Sequence, residues 1–248
     1  MNIVFTVGTA FLLGVGAGLI IQNEDWSSFL TSYIPALATL VAAFYGAKFA
    51  FEFQNQKELE EEQSHNLAAA NKAIFTLSRM ANSLFVYQRD FINPVRNKPG
   101  AFLELRPTAN IEKEFIKLDI EPLHFLLDTD FRNLLSEIII EYERYRLAIE
   151  VINLRSSLHI EEIQPALERA CFKDDTTIMV TSEDLEKILG NRLYSMIREN
   201  TTEVIFHVDT TLESLKDVAN RFKESVKTIY PDGKIIKFTL PNTQNSNV

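Results

Sequence analysis

The side chains equipped for chemistry are few and scattered. The histidines are His65, His124, His159 and His207, and the one cysteine is Cys171. No two of these stand at metal-ligand spacing with one another or with a carboxylate, as a zinc or transition-metal site requires. His65 lies in a polar stretch, and His124 follows Pro122 in an apolar turn. His159 flanks a helix boundary, and His207 sits between Phe206 and Val208 beside an apolar seam. Each therefore reads as structural or surface. Cys171, next to Phe172, reads as a small buried filler, and as a lone cysteine it excludes an intramolecular disulfide. The acids Asp128-x-Asp130 and Asp174-Asp175 suit a hard cation by type. They lack the glycine and terminal glutamate of a calcium loop, so they read as turn and cap residues. Gly14-Val15-Gly16-Ala17-Gly18 resembles a phosphate-cradling loop in spelling only, because it follows no strand and lies inside an apolar run. No P-loop, nucleophile elbow or kinase signature is present. The expectation is a non-enzyme with no catalytic residue, no cofactor and no metal.

Charge distribution shows what such a chain is built around. Up to Phe51 there is one basic residue, Lys48, and two acids, Glu24 and Asp25, and five of the eight glycines fall there. Beyond it stand 24 basic and 32 acidic residues (25 − 1 and 34 − 2), so most of the net charge of −9 belongs to a hydrophilic body. That balance argues against binding nucleic acid by phosphate neutralisation. Ile3 to Ile21 carries no charge over 19 residues, and at ~1.5 Å per residue a helix of that length matches a bilayer core. Phe29 to Phe51 is a second apolar stretch, broken only by Lys48, whose long stem suits a headgroup position. The seven residues from Gln22 to Ser28 allow only a tight hairpin, with Trp26 as an interface anchor. The loop has no basic residue while Lys48 and Lys57 follow the second span, which predicts a multi-pass protein with its C-terminal body in the cytoplasm. A cleaved signal peptide followed by one anchor is the competing reading; it lacks the basic start and the small-residue cleavage site.

Small residues recur every four positions as Thr6, Ala10, Gly14, Gly18 and as Ala38, Ala42, Gly46, Ala50. Such stripes let helices approach closely in lipid. They either face each other within one hairpin or pack against another protomer.

The body reads as helices. After an acid-rich neck holding Lys57, Glu58 and Glu60 to Glu62, a seam runs through Leu67, Ala70, Ile74, Leu77, Ala81 and Leu84 and should end before Asn93-Pro94. A second seam, Phe131, Leu135, Ile138, Tyr142, Tyr145, Ile149 and Ile152, repeats the spacing. Between its members, Glu141, Glu143, Arg144 and Arg146 read as a solvated face held by Glu141–Arg144 and Glu143–Arg146 pairs. A third runs from Ile205 through Val208, Leu212, Leu215, Ala219, Phe222 and Val226 to Ile229, and Pro231-Asp232-Gly233 stops it. Shorter helices are expected at Ile111 to Leu118, Pro122 to Leu127, Ile160 to Ala170 and Ser182 to Glu199, the last opened by a Thr181/Asp184 capping box. Strands are expected only at Thr176 to Val180 and Lys234 to Leu240. The fold class is all-α: a transmembrane hairpin over 1–51, a neck and first long helix over 52–90, a cytoplasmic helical bundle over 91–230, and a short strand or polar tail over 231–248.

Three functions fit these features: a membrane-acting effector, an anchored module that recruits a cytoplasmic partner, and a membrane enzyme whose site is unrecognised. The spans Ile3 to Ile21 and Phe29 to Phe51, with the helices after Leu67, resemble in architecture the small two-transmembrane effectors of bacterial anti-phage systems, including retron-associated ones. The resemblance extends over the whole chain and includes no diagnostic motif. It implies a bacterial inner-membrane protein that is toxic when released by infection and otherwise held silent by a regulatory protein or ribonucleoprotein partner, while the small-residue stripes, where they face another protomer, are what would make it a homo-oligomer.

Overall fold

The computed structural model describes the backbone of residues 26–108, 116–171 and 181–237, with side chains described from Ile34 onward except at positions 36, 37 and 171. The described chain is all-helical and contains no strand. It divides into two compact units, Met1–Glu62 and Gln63–Val248.

In the first unit the described residues belong to α1, Trp26–Tyr87, which continues into the second. Pro35 lies inside α1 and has no amide proton to donate; the Thr39 hydroxyl donates to its carbonyl at 2.8 Å. Past Phe51 the helix surface becomes a polar ladder of one-turn pairs. Lys48 meets Glu52 at 3.6 Å, Gln54 donates to Glu58 at 3.0 Å, and Lys57 meets Glu61 at 3.5 Å. Such pairs contribute a few tenths of a kcal/mol each, enough to favour helix in a neck that buries nothing of its own. Among the described residues no helix is long and apolar enough to cross a membrane. The expected span at 3–21 lies outside the described residues, as do the side chains of 29–33 at the start of the expected second span.

The second unit is assembled from the three seams. The last part of α1 buries Ala70, Ile74, Leu77, Ala81 and Leu84. A π-helical turn, Gln88–Ile92, then ends it ahead of Pro94. After α2, Ala101–Glu104, and a 3-10 turn, Glu121–Asp128, helix α3, Arg132–Leu158, buries Leu135, Ile138, Tyr145, Ile149 and Ile152. A second π turn, His159–Ile163, leads into α4, Gln164–Cys171. Helix α5, Ser182–Ile229, opens with the Thr181/Asp184 capping box and buries Val204, Val208, Leu212, Leu215, Phe222 and Val226. These stripes meet in one core cluster. Partners on α3 and α5 run in opposite order, with Glu137 paired to Arg221, Glu141 to Ser214 and Arg155 to Thr201, so the two helices are antiparallel. The part of α1 in this unit is likewise antiparallel to α5: Gln88 reaches Asp209, while Asn71 lies beside Lys234 and Ile236 beyond the end of α5.

Several expectations need correction. The helices expected at 182–199 and 204–230 are joined, because Thr201 and Thr202 donate their hydroxyls to the carbonyls of Ile197 and Arg198 and so remain within the winding. The break falls at Gly190, whose φ of 73° and ψ of 154° lie where only glycine is unstrained. No strand forms over 234–237, the described part of the expected 234–240. Asn71 instead donates to the Lys234 carbonyl and accepts from the Ile236 amide, both at 2.9 Å, so one side-chain amide takes the place of a pairing strand. Ile116 to Leu118, the described end of the helix expected at 111–118, has no regular structure although Ile116 and Leu118 are buried. The strand expected at 176–180 lies outside the described residues.

Because Leu77 has no exposed surface and Ile140 is 56% exposed, Leu77→Ala should cost about 2–5 kcal/mol in denaturant unfolding. Ile140→Ala on the same helical bundle should cost less than about 1 kcal/mol. Equal losses would contradict the assignment of the core.

Candidate functional site

The residues expected to pack in a membrane remain dispersed. Thr6, Ala10, Gly14 and Gly18 lie outside the described residues. Ala38, Ala42, Gly46 and Ala50 lie one turn apart on α1 and are all exposed, and a Cβ built on Gly46 would meet nothing within 4 Å. Around them Leu40, Val41, Phe44, Tyr45, Phe49 and Phe51 are exposed as well. Trp26 is the first residue of α1, and its side chain is outside the described set. Lys48, read as an interface anchor, pairs with Glu52.

The charged segment of α3 is only partly the solvated face expected. Both predicted pairs form, Arg144 to Glu141 at 3.0 Å and Arg146 to Glu143 at 3.2 Å. Glu141, however, is buried, and one of its oxygens accepts from the Ser214 hydroxyl on α5. It stands three residues after Ile138 and four before Tyr145, both fully buried, so the winding of α3 turns its carboxylate into the α3–α5 contact. A second cross-helix pair is bidentate, with Arg96 donating to Asp209 at 2.5 and 2.8 Å while Gln88 donates to the same carboxylate at 2.7 Å. Partial burial pushes the Asp209 carboxyl up. The hydrogen bonds from Arg96 and then Gln88, with the Arg96 charge, more than reverse that and hold it below the ordinary value.

The unusual chemistry lies where sequence reading placed none. Arg155, in the last turn of α3, has no exposed surface. Its Nη2 donates to the Phe102 carbonyl at 2.9 Å, and its Nε approaches the Thr201 hydroxyl at 3.4 Å. Its Nη1 is buried without a partner, as are the Tyr87 hydroxyl at the end of α1 and Nδ1 of His159, one turn past Arg155. Among the described residues no carboxylate pairs with Arg155. Next to it, the Ser156 hydroxyl donates to the Ile152 carbonyl at 2.8 Å and accepts from the Thr108 amide at 3.2 Å. Burial lowers Arg155 to about 10, opposed by the nearby Tyr87, so it stays cationic at neutral pH. Burial raises Tyr87 to about 12, opposed by Arg155, and keeps the phenol protonated. Burial and then the Arg155 charge lower His159 to about 4, which keeps the imidazole neutral.

This polar layer separates two apolar clusters. On one side is the main core, which includes Tyr87, Ile152 and Val204; on the other is a smaller cluster of Phe102, Leu158, Ile163, Ala166, Leu189, Tyr194 and Ile197. Both π turns start at the layer, one directly after Tyr87 and the other at His159. The signal in the sequence is that the seam of α3, continued past Ile152, lands on Arg155 and then on His159. A charge in a seam position marks a buried polar site, but its partners at Tyr87, Phe102 and Thr201 are brought in by the fold.

The remaining candidates stay apart. His65 and His124 are on different elements, His207 lies against Phe206, and Asp128 and Asp130 flank the start of α3. Among the described residues no three His, Cys, Asp or Glu side chains are grouped to hold a metal. Asp174 and Asp175 lie outside the described residues. No family model, curated protein or solved structure matches the chain.

His159 gives the body a definite pH response. Unfolded, the imidazole takes up a proton near 6.5, whereas folded it does so only near 4. Between those values the unfolded chain binds more protons, so stability is complete above 6.5 and falls as the pH drops through the window. Asp209 acts lower, since its folded value lies below the ordinary 3.8. Denaturant titrations at pH 7 and 5 should show wild type losing stability at the lower pH, and His159→Asn should lose clearly less. Identical losses would contradict a neutral, buried His159.

Proposed function

We propose that the chain is a membrane-anchored, non-enzymatic effector whose N-terminal hairpin self-associates and perturbs the bacterial inner membrane once a partner or signal releases it. The observation that carries this reading is the exposed surface of α1 from Ile34 to Phe53. Eight large hydrophobic side chains there are between 44% and 71% exposed, a small-residue stripe lies among them, and an acid-rich neck follows directly. A soluble domain rarely leaves so continuous an apolar surface to water, and lipid or another copy of the same helix would cover it. Charge supports the cytoplasmic placement of the body through Lys48 and Lys57. The architectural resemblance to small anti-phage effectors supplies the biological setting, with a regulatory protein or ribonucleoprotein as the restraining partner.

One observation favours the alternative, an anchored module that recruits a cytoplasmic protein. On the outward face of α3, Ile140, Leu147 and Leu154 recur every seven residues at 56%, 44% and 60% exposure. A heptad row of that kind is the seam of a helix awaiting another helix.

Gly46→Leu separates the two readings. Its side chain has open space and leucine favours helix over glycine by about 0.5–1 kcal/mol, so folding and insertion should persist. The effector reading expects the variant to lose at least tenfold in depolarisation of induced cells, with Leu147→Lys/Leu154→Lys still active. The recruitment reading expects the reverse pattern in the biological assay.

A further inference from the structure

The Arg155 layer has more donors than the described protein gives it acceptors. A buried guanidinium is normally matched by a carboxylate, because moving an unpaired charge out of water costs several kcal/mol. Here the matching groups are a carbonyl and a hydroxyl, and Nη1 faces none. At Arg155 the winding of α3 runs on without a break into the π turn and the His159 amide bonds the Arg155 carbonyl, so no free helix end compensates the charge. The Nη1 hydrogens are left without an acceptor, and a buried donor without one is destabilising.

Two further orphaned groups belong to the same layer. Of the four buried polar side-chain atoms without partners among the described residues, three are Arg155 Nη1, Tyr87 Oη and His159 Nδ1. They come from α1 and from the junction of α3 with its π turn, and both helices leave regular winding at this point. Departures of that kind concentrate at functional sites, where the wider turn re-aims side chains. His159 follows Arg155 by one turn of a continuous winding, and Tyr87, buried at the end of α1, is near enough for its hydroxyl and the Arg155 charge to act on one another. A guanidinium, a phenol held in its protonated donor form and an imidazole make a donor set, and donor sets around a buried cation recognise anions.

We propose that Arg155, Tyr87 and His159 form an internal site for one compact oxyanion, of the phosphate or carboxylate class. Arg155 Nη1 and the Tyr87 hydroxyl donate to it, and His159 donates through Nδ1 in the tautomer that carries its proton there. An occupant would neutralise the buried Arg155 guanidinium and tie the main core to the smaller cluster through α1, α3 and α5.

The test is calorimetric titration and thermal unfolding of the full chain in detergent at pH 7, with sodium phosphate, sodium acetate and sodium chloride compared at equal ionic strength. Saturable binding of phosphate or acetate with a rise in Tm, absent with chloride, is the expected result, and the preferred anion identifies the class. Tyr87→Phe removes one donor with little change in shape and should weaken binding about tenfold, the loss of one charge-assisted hydrogen bond. Arg155→Met should abolish it. Should Arg155→Met fail to fold, Tyr87→Phe decides alone. A response no greater than that to chloride, or an equal response in wild type and Tyr87→Phe, would overturn the site and leave Arg155 hydrated within the bundle.

Discussion

The apolar stripe of α5 from Val204 to Val226 has to be covered from two sides at once, and that constraint organises the second unit. The stripe repeats at three and four residues, so it forms one broad face that a single neighbour cannot hide. The end of α1 covers one flank and α3 covers the other, both antiparallel to α5. Fully buried Leu77, Leu84, Ile138, Ile152, Leu215 and Phe222 come from all three helices. Polar pairs then fix the register: Asp209 between Gln88 and Arg96, Glu141 against Ser214, and Glu137 against Arg221.

That arrangement also explains why Arg155 is buried. Below Ile152 the main core ends, and the chain returns through α2, α4 and the first turns of α5 to form the smaller cluster. Arg155 and Thr201 lie at the junction, each in register with the seam of its own helix, so neither side chain can reach water. The Arg155 charge also sets the ionisation of both neighbours, opposing the burial that raises Tyr87 and reinforcing the burial that lowers His159.

The three seams were legible because burial along a helix repeats with the winding of the backbone, and nearly every residue named on those grounds is buried or packed on the core. The capping box was legible for the same local reason. Features requiring knowledge of distant partners were not. Asn71 completes the backbone of 234–236 across more than 160 residues, and nothing near Lys234 announces it. Thr201 and Thr202 have composition that suggests a break, yet their hydroxyls bond back within the helix, while the real kink falls at Gly190. Arg155 was not among the expected seam residues, which stopped at Ile152; the same spacing carried one turn further lands on it, but its partners are set by the fold. The small-residue stripe at Ala38 to Ala50 was legible as a pattern, and its exposure on α1 is consistent with a face that another helix covers.

Among the described residues, the second unit closes its core with its own helices, while the large apolar side chains of α1 from Ile34 to Phe53 are exposed. The proposed role of that exposed surface is to act on the membrane. The most direct measurement is membrane potential in bacteria after induction of the full chain, beside a chain whose residues 1–51 are exchanged for an unrelated two-span anchor, with matched membrane expression. Depolarisation by the native chain and an intact potential with the exchanged anchor are expected. Equal depolarisation by both chains, or an intact potential with the native chain produced without a restraining partner and in the presence of infection, would contradict the proposal.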